Sequence, residues 1–304
     1  MMVPKSWHRA YAACAAILLL AAHTTTLHAQ SRNITHKGEK RRFIVYTPKG
    51  YELTPDRIYP VVLNFHGGGM TMAEQMLYTG MNSAADRNGF IVVYPQGLGQ
   101  DWNVGFETSY TDGTDDVGFI EAVLDQVVKD LRVDERRIYA TGLSRGGFFT
   151  HRLAAELSHR IAAVAAVGAP LPVPVQQQHA PRGPRYPVGV MLVHGTADRV
   201  VMFDGKPESY LSAQDSHAWW IERNGLNGAT ETMELIDVDA QDGTSVTILN
   251  GGGESLRTTL VTIRDGGHTW AGADPFNVGL RIGVTSRDID LNEVIWRFLA
   301  GHQR

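Results

Sequence analysis

The feature that most constrains the fold of this chain is a five-residue segment from Gly142 to Gly146, with a serine at its centre. It follows the β-branched run Arg137–Gly142 and precedes a helical run over residues 146–157. A serine on a sharp strand-to-helix turn exposes its hydroxyl at the edge of a sheet, and the strained backbone there requires small neighbours. The pattern therefore predicts that Ser144 is a catalytic nucleophile. The alternative is a bend in which the serine only caps the helix.

The rest of the chain alternates strand-like apolar runs with amphipathic helical patterns. Several of the runs are apolar at consecutive positions, which is typical of strands buried on both faces of a parallel sheet. This alternation predicts one α/β domain with a mostly parallel sheet over residues 30–304. The predicted strands are Arg42–Pro48, Tyr59–Gly67, Gly89–Gly97, Arg137–Gly142, Ile161–Ala169, Val188–Gly195 and Thr258–Gly267.

Two helices carry clear start signals. Asp115 or Asp116 precedes a run whose apolar residues recur every three or four positions, so this helix can lie on a sheet. Near the C-terminus, Asp290 and Glu293 suit a helix start and Gly301 suits its end.

Two stretches interrupt the alternation. Residues 170–187 are rich in Pro and Gln, which indicates a surface loop. Residues 245–263 read as two strands around a run of three glycines, which predicts a hairpin.

The N-terminal segment has the layout of a secretory signal peptide. Lys5 and Arg9 precede the short apolar run Tyr11–Ala22, and small residues suited to cleavage end near Ala29. Residues 1–29 are therefore predicted to be removed on export to the periplasm or the medium, and an uncleaved membrane anchor is the alternative. Cys14, the only cysteine, lies inside this segment, so the mature chain is expected to have neither a disulfide nor a thiolate metal site.

Charge and motif content narrow the possible partners. Loss of Lys5 and Arg9 would change the net charge from −4 to −6, which argues against a nucleic-acid partner. No later run is long and apolar enough to span a membrane. Metal-binding H-E-x-x-H and helix-opening G-x-G-x-x-G motifs are both absent from the sequence, so no metal or organic cofactor is expected.

A serine nucleophile needs a base and an acid, which follow it in the order acid then histidine in α/β-hydrolases. Asp198 comes just after an apolar strand, and His268 follows a later strand after two glycines. Because both lie at the carboxyl ends of strands, we predict them as the acid and the base. Asp204 and Asp265 are alternative acids, while His194 suits a structural hydrogen bond to the Asp198 loop.

The segment from His66 to Gly69 follows the run that we take as the third strand. Glycines allow backbone N–H groups to approach a developing oxyanion closely. We therefore predict Gly68 and Gly69 as donors of an oxyanion hole, completed by the N–H of Arg145 after the nucleophile. A flexible glycine turn is the alternative.

Together these segments resemble the secreted α/β-hydrolase esterases known as polyhydroxybutyrate depolymerases, which are related to feruloyl and acetylxylan esterases. The resemblance covers about Arg42 to His302 and implies an α/β-hydrolase fold, a triad of Ser144, Asp198 and His268, and an oxyanion hole from Gly67–Gly69 and Arg145. The matching segments are residues 115–125, 137–147, 194–201 and 266–272.

The chain departs from this family in two places. Arg145 stands where the family commonly has Asn or Gln, and it could either attract carboxylated or phenolic esters or face away and pair with an acid. The loop over residues 101–116 lacks the cysteines common in secreted members. We expect this loop to line the cleft, with Trp102 either a substrate-binding wall or a packed anchor of the loop.

The sequence thus predicts a secreted serine esterase that acts on hydroxyalkanoate oligomers or short esters. Feruloyl or acetyl esters of plant polysaccharides are the alternative substrates. A catalytically inactive binding protein and a peptidase are more remote alternatives. The oligomeric state is left open.

Overall fold

The computed structural model describes residues 28–179, 186–227, 231–274 and 281–304. The strands in these ranges are β1 (Ala29–His36), β2 (Glu39–Tyr46), β3 (Tyr59–Phe65), β4 (Ile91–Pro95), β5 (Val133–Leu143), β6 (Ala163–Val167), β7 (Gly189–Gly195), β8 (Glu231–Ile236), β9 (Ser245–Gly252) and β10 (Arg257–Arg264). The α-helices are α1 (Met72–Thr79), α2 (Met81–Asn88), α3 (Asp116–Asp130), α4 (Arg145–Glu156), α5 (Val173–Gln178), α6 (Ala213–Arg223) and α7 (Leu291–Ala300).

The strands form one ten-stranded sheet in the order β1-β2-β4-β3-β5-β6-β7-β10-β9-β8. The strands from β4 to β10 in this order pair in parallel, and the strands outside them pair antiparallel. Every residue of β3, β4, β6 and β7 is buried, as their apolar runs predicted. The predicted α/β-hydrolase fold with a mostly parallel sheet is confirmed.

Helices cover both faces of this sheet. One face packs against α3, α4 and α6 through residues that include Phe119, Phe149 and Trp220. The other packs against α1, α2 and α7 through residues that include Met81 and Ile295. Both faces of the central strands are thereby kept from water, so functional side chains can reach solvent only at the strand ends.

The predicted helix starts are confirmed. The side chain of Asp115 accepts a hydrogen bond from the N–H of Gly118 at the start of α3. Asp290 accepts from the N–H groups of Asn292 and Glu293 at the start of α7, and Gly301 follows its last residue. The predicted hairpin is also confirmed, because β9 pairs antiparallel with β10.

Two strands and four α-helices were not predicted, namely β1, β8, α1, α2, α5 and α6. β1 and β8 lie at the two edges of the sheet, where polar residues can alternate with apolar ones, and this weakens the strand signal. The segment predicted as a loop over 170–187 contains α5, so that prediction is wrong in part. Pro172 precedes this helix and Pro174 lies in its first turn, where the missing proline N–H removes no hydrogen bond. Residues 180–185 lie outside the described ranges.

Nearly all of the predicted signal peptide, residues 1–27, also lies outside the described ranges. β1 begins at Ala29, the predicted cleavage region. Among the described residues, none of the helices has the length and apolar character that crossing a membrane requires.

Candidate active site

Ser144 occupies the turn between β5 and α4, at the carboxyl edge of the sheet. Its backbone has φ 55° and ψ −122°, a conformation that non-glycine residues rarely adopt. Its N–H donates to the Val167 carbonyl at the end of β6 with an N–O distance of 2.8 Å. This bond holds the strained residue against the neighbouring strand, and such strain is concentrated at functional positions.

The glycines on either side of Ser144 are required by close packing. A Cβ atom on Gly142 would lie 2.6 Å from the Gly146 carbonyl carbon. A Cβ on Gly146 would lie 2.3 Å from the Phe65 carbonyl oxygen at the end of β3. No side chain fits at either position without moving backbone, so the glycine spacing read from the sequence has a direct steric cause.

Asp198 and His268 come from the loops after β7 and β10, and they are in direct contact. His268 Nδ1 lies 2.6 Å from Asp198 Oδ2. Because a carboxylate can only accept, Nδ1 carries the proton and Nε2 is left as the basic nitrogen. His268 is 7 % exposed and lies beside the turn after β6, where a Cβ on Gly168 would be 3.0 Å from Nδ1.

Both oxygens of the Asp198 carboxylate accept hydrogen bonds. Its Oδ1 accepts from the N–H groups of Val200 and Val201, each at 2.9 Å. Burial alone would raise the pKa of Asp198, but hydrogen bonds from His194 and His268 outweigh it and hold this pKa far below its ordinary value. The carboxylate therefore stays ionised beside the imidazole.

His194 has the structural role that we predicted for it. Its Nε2 lies 2.8 Å from the Val201 carbonyl and 3.3 Å from Asp198 Oδ2. The alternative acids, Asp204 and Asp265, are exposed, and neither carboxylate makes a hydrogen bond or ion pair with His268, which pairs with Asp198.

The glycine loop after β3 is held in place by hydrogen bonds of His66, which is fully buried. The Gly97 N–H donates to His66 Nε2 at 2.9 Å, so Nδ1 carries the proton that is donated to the Gly67 carbonyl at 2.8 Å. Burial lowers the pKa of His66 and keeps the ring neutral. Gly67 and Gly68 line the same cavity as Ser144.

The N–H group of Gly69 does not point where the sequence analysis expected. Its N–H donates to the Gln100 carbonyl at 2.9 Å and its φ is 75°, so it turns the chain away from the cavity. The prediction that Gly69 donates to an oxyanion is therefore wrong, because that hydrogen is already bound. Arg145 is the first residue of α4, where N–H groups have no acceptor within the helix.

The Arg145 side chain pairs with two acids of the 101–116 loop. Its Nε lies 2.9 Å from Asp101 Oδ1, and its Nη2 lies 3.0 Å from Glu107 Oε2. The guanidinium also stands over the Phe106 ring at 5.1 Å. Pairing with an acid is the second of the two alternatives that the sequence left open, although Arg145 also lines the cavity.

Ser144 and His268 open into one cavity of about 490 Å³. Much of its wall is apolar or aromatic and is formed by residues that the sequence did not single out. That part of the wall includes Met70, Phe106, Phe148, Val201, Met202 and Tyr210. Phe148 packs at 5.0 Å from Phe106 and at 5.3 Å from Tyr210, between ring centroids, so these three rings form a continuous surface.

Trp102 is not part of this cavity wall. It is 2 % exposed, its Nε1–H donates to the His66 carbonyl at 3.0 Å, and its ring stacks on Phe149. The prediction of a substrate-binding wall is therefore wrong, because the large indole is used as an anchor beneath the glycine loop. The loop over 101–116 does line the cavity, through Phe106 and Glu107. In the sequence, only the aromatic and acidic character of these two residues, in a loop after β4, could have indicated that they line the cavity.

Comparison with known proteins identifies the family of this chain. Residues 42–205, more than half of the chain, match the family described as "Esterase PHB depolymerase". The chain belongs to this esterase family. The family match begins within β2 and ends after β7, and it includes both Ser144 and Asp198.

Three proteins to which this chain is similar are also named as esterases. NocK of Nocardia uniformis subsp. tsuyamanensis, named as an esterase, is 29 % identical over 93 % of this chain and 84 % of its own length. Feruloyl esterase B of Piromyces equi is 29 % identical over 75 % of this chain, but the match covers only 42 % of that protein. Acetyl xylan esterase from Aspergillus awamori superposes with a TM-score of 0.62 over 90 % of this chain and 99 % of its own at 16 % identity, which shows a common fold.

Proposed function

We propose that this chain is a serine hydrolase of carboxylic esters, with Ser144 as nucleophile, His268 as general base and Asp198 as the acid that orients it. The observation that carries the proposal is the strained elbow at Ser144 opening into the same cavity as a histidine bound at 2.6 Å to a buried, ionised aspartate. Membership in an esterase family supports the same chemistry.

In the first half of the reaction, Ser144 Oγ attacks the ester carbonyl carbon while His268 Nε2 takes the hydroxyl proton. The carbonyl π electrons move onto oxygen and give a tetrahedral oxyanion. When the oxyanion collapses, the bond to the alcohol oxygen breaks and His268 returns the proton to the leaving alcohol. Asp198 stabilises the imidazolium, which its low pKa allows because the carboxylate stays charged throughout.

In the second half, His268 removes a proton from water as the water oxygen attacks the acyl-enzyme carbonyl. Collapse of this second intermediate breaks the bond to Ser144, returns the proton to the serine, and releases the carboxylic acid. The N–H groups of Gly68 and Arg145 are the proposed oxyanion donors. Their support is that a Cβ on Gly68 would lie 3.6 Å from the Arg145 Cβ, so the two residues are in contact, and both line the cavity that contains Ser144.

We propose hydroxyalkanoate oligomers or short aliphatic esters as substrates. The apolar cavity wall and the family description support this choice. Feruloyl or acetylxylan esters are the second candidate, favoured by the match to feruloyl esterase B. A panel of hydroxybutyrate oligomers, methyl ferulate, acetylated xylan and 4-nitrophenyl esters separates them, and a higher kcat/KM on methyl ferulate than on the oligomers would contradict the first choice.

The proposal is tested with Ser144→Ala on 4-nitrophenyl acetate. We expect kcat to fall by at least about 10⁴-fold, because the nucleophile is removed while the cavity is kept. Ser255→Ala, an exposed serine between β9 and β10, is the matched control and should keep the wild-type rate. Comparable activity of the folded Ser144→Ala protein would refute the assignment.

Export is a separate proposal, which rests on the basic and apolar layout of residues 1–29. Expression of the full chain in a bacterial host, followed by mass measurement of the extracytoplasmic protein, tests it. A mature N-terminus near residue 30 is expected, and an intact N-terminus on cytoplasmic protein would contradict it.

A further inference from the structure

The charged residues that line the cavity are unevenly balanced. Three cations, Arg145, Arg199 and Lys206, line it together with one acid, Glu107. The chain as a whole has a net charge of −4, so a locally positive cavity departs from the average surface. A concave site lined by one sign of charge raises the local concentration of ligands of the opposite sign.

Arg145 contributes little to this imbalance because it is paired. Its guanidinium contacts Asp101 at 2.9 Å and Glu107 at 3.0 Å, so two carboxylates compensate one cation. Arg199 and Lys206 have no ion pair with any acid in the part of the chain that the structure describes. The cationic character of the cavity therefore rests on these two side chains, which are both exposed at its rim.

Both cations stand on a stretch of backbone that is firmly held. Arg199 follows Asp198, whose Oδ1 accepts from the N–H groups of Val200 and Val201 at 2.9 Å each. Lys206 exchanges two backbone hydrogen bonds with Tyr210, each at 3.0 Å. The Tyr210 hydroxyl accepts from the Met202 N–H at 3.2 Å and closes the loop between them. The two charges are thus attached at fixed positions relative to the proposed acid.

Beside these charges lies the aromatic surface of Phe106, Phe148 and Tyr210. A ligand that fits both features has an apolar body, which lies on the rings, and an anionic end, which reaches the rim. Charge-assisted hydrogen bonds from ammonium or guanidinium groups to a carboxylate would give that end its orientation.

We propose that the cavity selects aliphatic esters that carry a free carboxylate, and that Arg199 and Lys206 recognise this carboxylate. The proposal rests on the proposed ester hydrolysis at Ser144. A hydroxyalkanoate oligomer has such a group, since the chain ends in a carboxylate, whereas a methyl ferulate or an acetyl ester has none. Arg199 and Lys206 would then favour short oligomers with an accessible acid end.

The test compares two substrates that differ only in the terminal group, mono-4-nitrophenyl adipate and 4-nitrophenyl hexanoate. Both release 4-nitrophenol, and the quantity of interest is the ratio of kcat/KM for the anionic ester to that for the neutral one. For the wild type we expect a ratio above one after subtraction of spontaneous hydrolysis. Raising the salt to about 1 M, where the screening length is about 3 Å, should reduce it.

Arg199→Gln and Lys206→Gln should each lower this ratio about threefold, and the double variant about tenfold, through a higher KM for the adipate ester. These magnitudes are those of exposed charge pairs. Lys129→Gln, an exposed lysine in the last turn of α3, at the end of the helix away from the 101–116 loop, controls for the loss of one positive charge. Its ratio should equal that of the wild type.

An unchanged ratio in the double variant, or a wild-type ratio below one, would overturn the carboxylate proposal while the hydrolysis of the neutral hexanoate still supported the esterase assignment. Failure of the wild type on both esters would instead contradict the proposed function. Circular dichroism of each variant establishes that the ratios are compared between folded proteins.

Discussion

The floor and the wall of the cavity are held in different ways. The floor carries Ser144, Gly68 and His268, which are fixed by strand ends, backbone hydrogen bonds and buried imidazoles. The wall over residues 101–116 carries Phe106 and Glu107 and is fixed by side chains, both from its own Asn103 and from Arg145 and Arg152 of α4. Chemistry needs a geometry that does not vary, whereas a side-chain-held loop can change its lining without disturbing the sheet.

Arg152 on α4 is the main attachment of that wall. Its Nη1 donates to the Asn103 carbonyl and its Nη2 to the Tyr110 carbonyl, both at 2.9 Å. Its Nε pairs with Glu156 at 2.8 Å, and its guanidinium stacks over the Tyr110 ring. This buried arginine joins the start of the loop at Asn103 to its middle at Tyr110, in a chain that has no cysteine outside residues 1–29.

The largest effect is expected on the floor, from Asp198→Asn. An amide can donate to His268 Nδ1 and so favours the tautomer that lacks a basic Nε2, and kcat should fall about 10⁴-fold. Steady-state kinetics with 4-nitrophenyl acetate measures this. Asp204→Asn and Asp265→Asn remove the alternative acids and should stay close to wild type; a comparable loss in either would move the acid away from Asp198.

A smaller effect is expected in the wall, from Arg152→Met. Loss of the guanidinium leaves two loop carbonyls without their donor and removes the ion pair of Glu156, so the free energy of unfolding should fall by about 3 kcal/mol. Urea unfolding measures the change, and limited proteolysis should cleave first within residues 101–116. Arg160→Met removes an ion pair with the exposed Asp125, and it is expected to lower the free energy of unfolding by less than about 1 kcal/mol. Equal losses in the two variants would contradict the role given to Arg152.

The sequence predicted where the residues of the floor lie, because their placement obeys local rules. Gly142 and Gly146 are steric necessities of the turn at Ser144, and Asp198 and His268 follow apolar strands that end at one sheet edge. Strand, turn and helix signals each lie within a few residues, so they can be read without knowledge of tertiary contacts.

The wall was predicted poorly because its residues are defined by distant partners. Whether Trp102 or Phe106 faces the cavity depends on the space beneath the glycine loop, which Phe149 of α4 helps to fill. The same holds for Gly69, whose N–H is bound by a carbonyl more than thirty residues away. No periodicity or spacing within the 101–116 segment carries that information.

The next prediction concerns the pH dependence of stability, and it rests on a buried histidine of α4, the helix that begins after Ser144. His151 of α4 is fully buried, its Nε2–H donates to the Ala169 carbonyl, and its Nδ1 accepts from Trp220. Burial lowers the pKa of His151 to about 4. The unfolded chain binds a proton below about pH 6.5 while the folded one does not, so this stabilisation is present above pH 6.5 and is lost as the pH falls towards 4.

Urea unfolding of the wild type and His151→Gln between pH 7 and pH 5 isolates this contribution. The stability advantage of the wild type should shrink by about 2 kcal/mol over this interval, at roughly 1.4 kcal/mol for each pH unit below 6.5. Other buried histidines, such as His66, titrate in both proteins and cancel in the difference. A difference that did not vary with pH would show that His151 is not held neutral by the fold.

The smallest effect is expected at the outer end of the wall, from Glu107→Gln. The Glu107 side chain is 72 % exposed, and Arg145 keeps its ion pair with Asp101 in this variant. The free energy of unfolding should therefore change by less than about 1 kcal/mol. The cavity nevertheless loses its one acidic lining residue, and the preference for the adipate over the hexanoate ester should rise about two- to threefold. Glu135→Gln, an exposed acid on β5, should leave that preference unchanged. A fall in the preference would mean that Glu107 orders Arg145 for the carboxylate instead of opposing it, and the wall would then contribute to recognition through Arg145 as well as through the loop after β7.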